Sequence, residues 1–362
     1  MLAEATSTAP TVAQAYMFVV GVDTHARAHV YSVIEAITGA VVETQSFPTT
    51  PAGLARASAW IARRTVDTPE AVLISMEGTG SYGRLAAAQL AGLGYRIVEA
   101  LTPVRGKGRA KSDELDAQRA ARDVLGLPAD RLRDHRTGAV AGALQVLTTA
   151  RDRLTTERTA QVNALTGLLR THDLGLDAGS SLSAAQIRVV KNWRTRTESL
   201  DQRVARAESI RLAARIADLD EQLNDNEKTL RDLVTEHAPD LLAEPGIGPY
   251  CAAVILATWA YPGRVRSEAA FARLAGTAPI PASSGNRADH HRLDRGGDRR
   301  LNRALHIATL SRMRNHDETH SYVHKRTAEG RTHREIRRQL KRYLTRKIHR
   351  LLTRQNTLAP TS

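Results

Sequence analysis

The feature that most constrains this chain is a short apolar run near its start that ends in a carboxylate. Residues 17–23 read Met-Phe-Val-Val-Gly-Val-Asp. The length of the run, its β-branched residues and its polar end predict a buried β-strand. An acid at the end of such a strand lies where the sheet meets solvent, so Asp23 is the first candidate site residue.

The segment that follows alternates between strand and helix patterns. With the first strand at 16–22, further strands are predicted at 28–37, 40–47, 71–76 and 95–100. Helices are predicted at 51–64, at 83–92 and from Ser112, a good N-cap residue, onward. The order βββαβαβα is that of an RNase H-like α/β fold whose mixed sheet begins with an antiparallel meander. We assign residues 16–137 to this predicted catalytic domain.

Four acids in this domain form a candidate metal site: Asp23, Glu77, Asp113 and Asp116. Glu77 follows the fourth strand, and the two later acids are spaced i, i+3 on one helix face. Because the first and fourth strands of such a sheet are adjacent, the acids are expected to meet at one edge. Their repulsion calls for a cation, and hard oxygen ligands favour Mg²⁺ or Mn²⁺, as in phosphodiester cleavage. In the alternative, Asp113 and Asp116 only stabilise the N-terminus of their helix through its dipole. That role would not explain why acids also follow the first and fourth strands.

A histidine also lies beside the first of these acids. His25 follows Asp23 by two residues and is a candidate for supporting the acids from outside the ligand set. A surface loop position is equally consistent with the sequence.

From residue 138 the pattern becomes helical, and residues 138–238 are predicted as a helical coiled-coil linker with a break at 175–183. Apolar residues recur along its second helix with spacings of four and three, which is a heptad seam. Its members are Leu212, Ile216, Leu219, Leu223, Leu230 and Leu233, with the polar Asn226 among them. A dimerising coiled coil and internal pairing with residues 138–170 both fit this seam.

Residues 239–330 are predicted as a mostly helical C-terminal domain. Residues 241–259 have the form of a helix-hairpin-helix, in which Gly246 and Gly248 allow a tight turn before unpaired N–H groups that suit a phosphate. A plain helical hairpin is the alternative.

Further on, Ser283 and Ser284 precede a glycine in an arginine-rich loop. A serine there becomes a nucleophile only if it is deprotonated or held in a cationic pocket, and an ordinary turn is the simpler interpretation.

The charge of the chain indicates a polyanionic partner. The formal charge is +14 and the isoelectric point is near 10.4, which favours nucleic acid first and an acidic membrane surface second. Of the 52 basic residues 45 are Arg, whose guanidinium matches phosphate bidentately, although GC-rich codon usage contributes to this bias. The candidate nucleic-acid contacts are Arg105, Lys107, Arg109, Lys111, Gly246, Gly248, Arg287, Arg292, Arg295, Arg299 and Arg300. Residues 331–362 are predicted as a basic C-terminal helix or tail, also favoured for phosphate contact.

Composition excludes several classes of protein. Aromatic residues are 4%, which argues against recognition by rows of stacked rings, and the single Cys251 excludes a disulfide framework or a cysteine-rich zinc site. No apolar run of about 18 residues occurs, so no membrane span is expected. Residues 1–15 are Ala/Thr-rich and are predicted to be a disordered leader, not a signal peptide. We therefore expect a cytoplasmic protein with no membrane and no small-molecule substrate as partner.

Several motifs, taken together, resemble a known family. In chain order they are Gly-Val-Asp-Thr-His (21–25), Ser-Met-Glu-Gly-Thr-Gly-Ser-Tyr (75–82), Lys-Ser-Asp-Glu-Leu-Asp-Ala (111–117), Pro-Gly-Ile-Gly (245–248), Ala-Gly-Thr-Ala-Pro (275–279) and Ser-Ser-Gly (283–285). Their joint occurrence between about residues 17 and 315 resembles the insertion-sequence 110 family. These are the DEDD transposases, described as bridge-RNA-guided recombinases.

The resemblance implies a RuvC-like domain, a coiled-coil linker and a transposase domain. It implies that Asp23, Glu77, Asp113 and Asp116 bind divalent metal, and that a serine links covalently to DNA. Ser284 matches by its position before the glycine, and its neighbour Ser283 stays open. The resemblance further implies homodimers that pair into homotetramers, with the metal site of one subunit completed by the serine of another. A guide (bridge) RNA would pair with donor and target DNA, so that the protein reads backbone and shape.

Two other functions remain open on the sequence alone. A RuvC-like metal-dependent nuclease would use water as the nucleophile and would need the acids but not the serine. A catalytically inactive nucleic-acid-binding protein would need neither. An actin-like sugar kinase also opens on a strand ending Gly-x-Asp, but the later phosphate-binding glycine motifs are absent.

Overall fold

The computed structural model describes residues 9–101, 112–135, 138–179, 181–261, 263–281, 291–293 and 296–358. The chain divides into two compact units, Met1–Gly138 and Ala139–Ser362. The second unit contains the segments predicted as linker, C-terminal domain and basic tail. No helix in the described ranges is long and apolar enough to cross a membrane.

The first unit is built on a five-stranded mixed sheet. Its strands are β1 (Phe18–Thr24), β2 (Ala28–Glu35), β3 (Val41–Pro48), β4 (Val72–Met76) and β5 (Arg96–Glu99). The sheet order is β3-β2-β1-β4-β5, with the first three strands antiparallel and with β4 and β5 parallel to β1. This order and these directions fit the RNase H-like (RuvC-like) α/β fold predicted from the sequence.

Among the described residues, four α-helices accompany this sheet: α1 (Val12–Ala15), α2 (Pro51–Arg64), α3 (Arg84–Gly92) and α4 (Asp113–Arg122). Side chains alternate between the two faces of each strand, so β1 is buried on both faces. Val20 and Val22 pack with α2 and α3, whereas Val19 belongs to the cluster that includes Ala121 of α4. By the same alternation Gly21 and Asp23 are on the α4 face.

The contact between α4 and β1 is unusually close because it is made by small residues. A Cβ added at Gly21 would lie 1.9 Å from the carbonyl oxygen of Ala117 and 2.7 Å from the backbone nitrogen of Ala121. Both alanines are fully buried. Only glycine lets the helix backbone rest on the strand here.

The predicted leader of residues 1–15 is wrong at Val12–Ala15, which form the short helix α1. Val12 is fully buried, and its N–H donates to the Leu127 carbonyl at 2.9 Å, while the Ala13 N–H donates to the Leu125 carbonyl at 3.1 Å. One apolar side chain and these backbone bonds fix a segment whose composition alone suggested disorder. Residues 1–8 lie outside the described ranges.

Within the described ranges, the second unit is helical apart from two short paired strands. Its helices are α5 (Ala139–Thr171), α6 (Ala184–Lys191), α7 (Leu200–His237), α8 (Pro239–Ala243), α9 (Pro249–Trp259), α10 (Glu268–Leu274), α11 (Arg299–Asn315), α12 (Asp317–Ala328) and α13 (His333–Leu358). The strands β6 (Pro279–Pro281) and β7 (His291–Leu293) pair antiparallel. Helix α9 is buried on nearly all sides and lies at the centre of the main core cluster.

The heptad seam of α7 packs against α5 of the same chain. The two helices run antiparallel and are joined by three ion pairs: Arg151 with Glu227 at 2.8 Å, Arg158 with Asp220, and Glu157 with Arg215 at 2.6 Å. Asn226, 8% exposed, donates from Nδ2 to the Leu147 carbonyl at 3.0 Å. Of the two alternatives for the seam, the structure therefore has the internal pairing.

The basic C-terminal segment is a packed helix and not an open tail. On α13 the apolar side chains of Ile336, Leu344, Ile348 and Leu352 are buried. Several of its cations have partners within the unit: Arg342 and Arg346 with Glu268, Lys347 with Glu244, and Lys341 with Asn302. Burial lowers the pKa of Lys341 to about 8. These four cations therefore already have partners within the unit, and their contact with phosphate stays a prediction.

Replacing Gly21 by Ala is expected to destabilise the first unit by about 3 kcal/mol, because the added methyl group would overlap the backbone of α4. Urea unfolding of the full chain measures the change, and hydrogen exchange of β1 and α4 assigns it to this unit. Gly126→Ala is the matched control, since a Cβ there meets nothing within 4 Å. A Gly21→Ala protein as stable as the control would contradict the close approach.

Replacing Asn226 by Leu is expected to raise the free energy of unfolding by about 1 kcal/mol. The Asn226 Oδ1 is buried and has no hydrogen-bond partner among the described residues, so the substitution removes a desolvated oxygen. The association state is expected to stay the same, because the side chain contacts α5 of its own chain. Urea unfolding and light scattering after size exclusion measure the two effects, and a changed oligomer would show that the seam also pairs subunits.

Candidate metal centre

Two of the four predicted acids are brought together by adjacent parallel strands. Asp23 is the penultimate residue of β1, and Glu77 directly follows Met76, the last residue of β4. The Glu77 N–H donates to the Val22 carbonyl at 3.1 Å, and the Thr24 hydroxyl donates to the Glu77 carbonyl at 3.1 Å. The backbone around Glu77 is thus fixed beside the end of β1.

The other two acids come from the first turn of α4. The Ser112 hydroxyl accepts a hydrogen bond from the Leu115 N–H and begins the helix where the sequence predicted. Asp113 is exposed, whereas Asp116 is partly buried and accepts a hydrogen bond from Arg119 at 2.8 Å. Since α4 rests on β1 at Gly21, its first turn lies over the strand end that carries Asp23.

The electrostatics of these acids show that they act on one another. The pKa of Glu77 is raised, first by burial and then by the negative charges of Asp23 and Asp116, with Arg119 and His25 acting in the opposite direction. Asp23 is only 7% exposed. A partly buried group of carboxylates of this kind is destabilised by its own charge unless a cation joins it, and its oxygen ligands suit a hard divalent ion.

His25 lies against two of the four acids. Its Nε2 is 2.9 Å from Asp23 Oδ2 and 3.5 Å from Asp113 Oδ1. Among the described residues, Asp23, His25 and Asp113 each offer one ligand atom, and these atoms lie within 4.8 Å of one another. Glu77 interacts electrostatically with Asp23 and His25, and Asp116 interacts with Glu77, but neither acid is part of the compact set. His25 is therefore in direct contact with the acids and is not simply a surface histidine.

Sequence reasoning missed the neighbours that hold the acids in place. Thr24, Gly21 and Arg119 were not among the predicted residues. A glycine inside a buried strand beside an acid signals close backbone approach, and Arg119 follows Asp116 at the i+3 spacing of a helical ion pair. These two signals were present in the sequence.

Most of the predicted serine loop and basic loop lies outside the described residues. This applies to Arg105, Lys107, Arg109, Lys111, Ser283, Ser284, Arg287 and Arg295. Arg292 is on β7, of which only the backbone is described. The serine loop is therefore known here only by its flanking segments.

Of the described candidates of the second unit, Gly246 and Arg300 have structural partners, whereas Gly248 and Arg299 are exposed. Gly246 has a φ of +80°, and a Cβ there would lie 2.6 Å from the Ala308 carbonyl oxygen, so glycine serves both the turn and the contact with α11. Gly248 is the exposed N-cap of α9. Arg299 is exposed at the start of α11, while Arg300 donates to Asp152 Oδ2 at 3.0 Å. Burial and Asp152 raise the pKa of Tyr250, which donates to the same carboxylate, to about 12.

Comparison with known proteins assigns both units. A protein-family model for the DEDD transposase of IS110, described as a transposase, matches residues 20–172. A second family model, described as the transposase IS116/IS110/IS902 family, matches residues 239–324. The two segments together make up about two thirds of the chain. A DEDD transposase domain implies use of a divalent metal, in agreement with the acidic group described above.

Two curated relatives are similar to part of the chain. The insertion element IS110 uncharacterized 43.6 kDa protein of Streptomyces coelicolor is 32% identical over 124 residues, which is 34% of this chain and 31% of the relative. The insertion element IS900 uncharacterized 42 kDa protein of Mycobacterium paratuberculosis is 31% identical over 137 residues, 36% of this chain and 34% of the relative. The matched segment thus spans about a third of each relative's length.

The two family matches, the mixed sheet and the acids at its edge agree with one another. The chain belongs to the IS116/IS110/IS902 family of transposases.

Proposed function

We propose that the chain is a DNA transposase that cleaves and rejoins the strands of an insertion sequence. The observation that carries this proposal is the convergence of acids from β1, β4 and α4 beside one strand end. Phosphodiester cleavage is the chemistry that such a carboxylate group serves with a divalent ion. Membership in a transposase family supplies the substrate class, which is DNA.

Asp23, Glu77, Asp113 and Asp116 hold Mg²⁺ or Mn²⁺ in this proposal. The ion, when bound, neutralises charge on the scissile phosphate and polarises its oxygens. The residues of the chain do the positioning: Asp23 is fixed in β1, Glu77 by its backbone bond to Val22, and the other two by the first turn of α4. Arg119 holds Asp116 at 2.8 Å and limits its rotation.

Ser284 is the proposed nucleophile, with Ser283 as the adjacent alternative. Its hydroxyl loses a proton and attacks phosphorus, forming a serine–phosphate ester while the bond from phosphorus to one deoxyribose oxygen breaks and that oxygen takes a proton. A strand-end hydroxyl then attacks the ester, which restores the serine and joins the new strand. Arg287, Arg292 and Arg295 neutralise charge on the phosphate.

Guide RNA and two DNA molecules are the proposed nucleic-acid partners. The basic residues of 105–111 and 287–300 contact backbone phosphates, and the Gly246–Gly248 turn acts as a helix-hairpin-helix at one phosphate. Sequence choice is left to pairing with the RNA, in keeping with an aromatic content of 4%. Homodimers that pair into homotetramers are the proposed active assembly. Since the α7 seam is used within the chain, other surfaces would join the subunits.

Replacing Glu77 by Gln is expected to raise the melting temperature of the metal-free protein and to abolish its stabilisation by metal. The substitution keeps the shape but removes a charge that burial, Asp23 and Asp116 all disfavour. Wild type with Mn²⁺ at 100 times its dissociation constant is expected to gain about 2.7 kcal/mol.

Thermal unfolding with chelator and with Mn²⁺ measures both changes in Glu77→Gln. Glu70→Gln is the matched control, because Glu70 is an exposed acid that precedes β4 and so lies at the opposite end of that strand from Glu77. A variant that Mn²⁺ stabilises as strongly as wild type would remove Glu77 from the metal site.

Replacing Ser284 by Ala is expected to abolish a protein–DNA adduct while metal binding stays intact. The assay uses end-labelled DNA carrying the element's junction, with Mg²⁺ and the RNA that co-purifies, and resolves products on a denaturing gel. Asp113→Ala is expected to abolish the adduct by a different route, loss of the metal site.

Ser283→Ala decides between the adjacent serines, because it keeps the adduct only if Ser284 is the nucleophile. Metal-dependent cleavage without any adduct, unaffected by either serine substitution, would overturn the covalent mechanism and leave a nuclease that uses water. Binding of RNA without cleavage in every variant and in wild type would indicate an inactive binder.

A further inference from the structure

The imidazole of His25 lies where a metal ligand would lie. It lies in the short link between β1 and β2, directly after the strand that carries Asp23. Its Nε2 is 2.9 Å from Asp23 Oδ2 and 3.5 Å from Asp113 Oδ1, which come from separate elements, β1 and α4. One nitrogen thus faces two carboxylates that α4 and β1 bring together.

These separations match the edges of a metal coordination shell. Ligand atoms about 2.1 Å from an octahedral ion are about 3.0 Å apart when they occupy neighbouring positions. The pair Asp23–His25 is already at that separation, and the pair His25–Asp113 needs a shift of a few tenths of an ångström. Since all three ligand atoms lie within 4.8 Å of one another, small movements of the side chains would bring them round one ion.

The backbone of His25 is held by a second histidine. The His25 N–H donates to Nδ1 of His29 at 3.3 Å, and His29 is 1% exposed on β2. This hydrogen bond requires the tautomer of His29 whose Nδ1 carries no proton and can accept. The side chain of His25 itself is about half exposed.

We propose that His25 Nε2 is a direct ligand of the divalent ion held by Asp23 and Asp113. The inference rests on the metal centre of the proposed function and adds a fifth residue to its four acids. An imidazole among carboxylates shifts preference from Mg²⁺ toward Mn²⁺ and later first-row ions. In the alternative, His25 is an imidazolium that pairs with the two acids and is displaced when the ion binds.

Pulsed electron paramagnetic resonance of Mn²⁺ bound to the full-length protein separates these two roles. A ligating imidazole couples its ¹⁴N nucleus to the Mn²⁺ electrons, and a displaced one does not. We expect ¹⁴N modulation in wild type and in the control His135→Ala, whose ring contacts the Ile97 carbonyl in the same unit. The modulation is expected to be absent in His25→Ala and in His25→Gln, which keeps a side chain of similar length.

Calorimetric titration gives a second readout that is independent of activity. Losing the imidazole is expected to weaken Mn²⁺ binding by at least about tenfold and Mg²⁺ binding by a smaller factor. Equal weakening for both ions would overturn the ligand role and indicate loss of a general electrostatic contribution.

The outcomes also separate this inference from the proposed function. Bound Mn²⁺ without ¹⁴N modulation in wild type, or modulation that survives in His25→Ala, overturns the inference and leaves the carboxylate centre intact. A wild-type protein that binds no Mn²⁺ overturns the inference together with the metal centre.

Discussion

The contact between α4 and β1 is the constraint on which the candidate site depends. The acids of the helix reach those of the sheet only because the helix backbone rests directly on the strand at Gly21. Packing of Ala117, Ala120 and Ala121 against the sheet fixes this approach. The burial and close packing of apolar groups in this contact therefore hold the carboxylates of α4 near those of the sheet, although the carboxylates repel one another.

Local sequence signals predicted the first unit well because its determinants are local. The strand periodicities and the Ser112 cap depend on residues within a few positions of one another, and the structure has the five strands and the helices in the predicted order. The convergence of Asp23 and Glu77 could be predicted because the first and fourth strands are adjacent in this fold. The close helix approach did not, because a glycine in a strand does not say which backbone will face it.

The second unit was harder to predict because its patterns do not identify their partners. A heptad seam is equally satisfied by another chain or by the same chain, and here α5 supplies the partner with three charged pairs in antiparallel order. The short segment at Val12 was missed for a similar reason, since its backbone hydrogen bonds are made to residues more than 100 positions away. The candidate nucleophile remains a prediction from family resemblance, because its loop lies outside the described residues.

The internal partners of the basic helix have a consequence for how the chain meets a polyanion. Arg342 and Arg346 share Glu268, and Lys347 joins Arg312 on the buried Glu244. A phosphate backbone that engages cations sheds condensed counterions, and the steepness of affinity against ionic strength counts the cations engaged. Side chains already neutralised within the fold add little to that count. The salt dependence of nucleic-acid binding therefore reports the cations that folding leaves uncommitted, and this number is smaller than the number of arginines and lysines in the sequence.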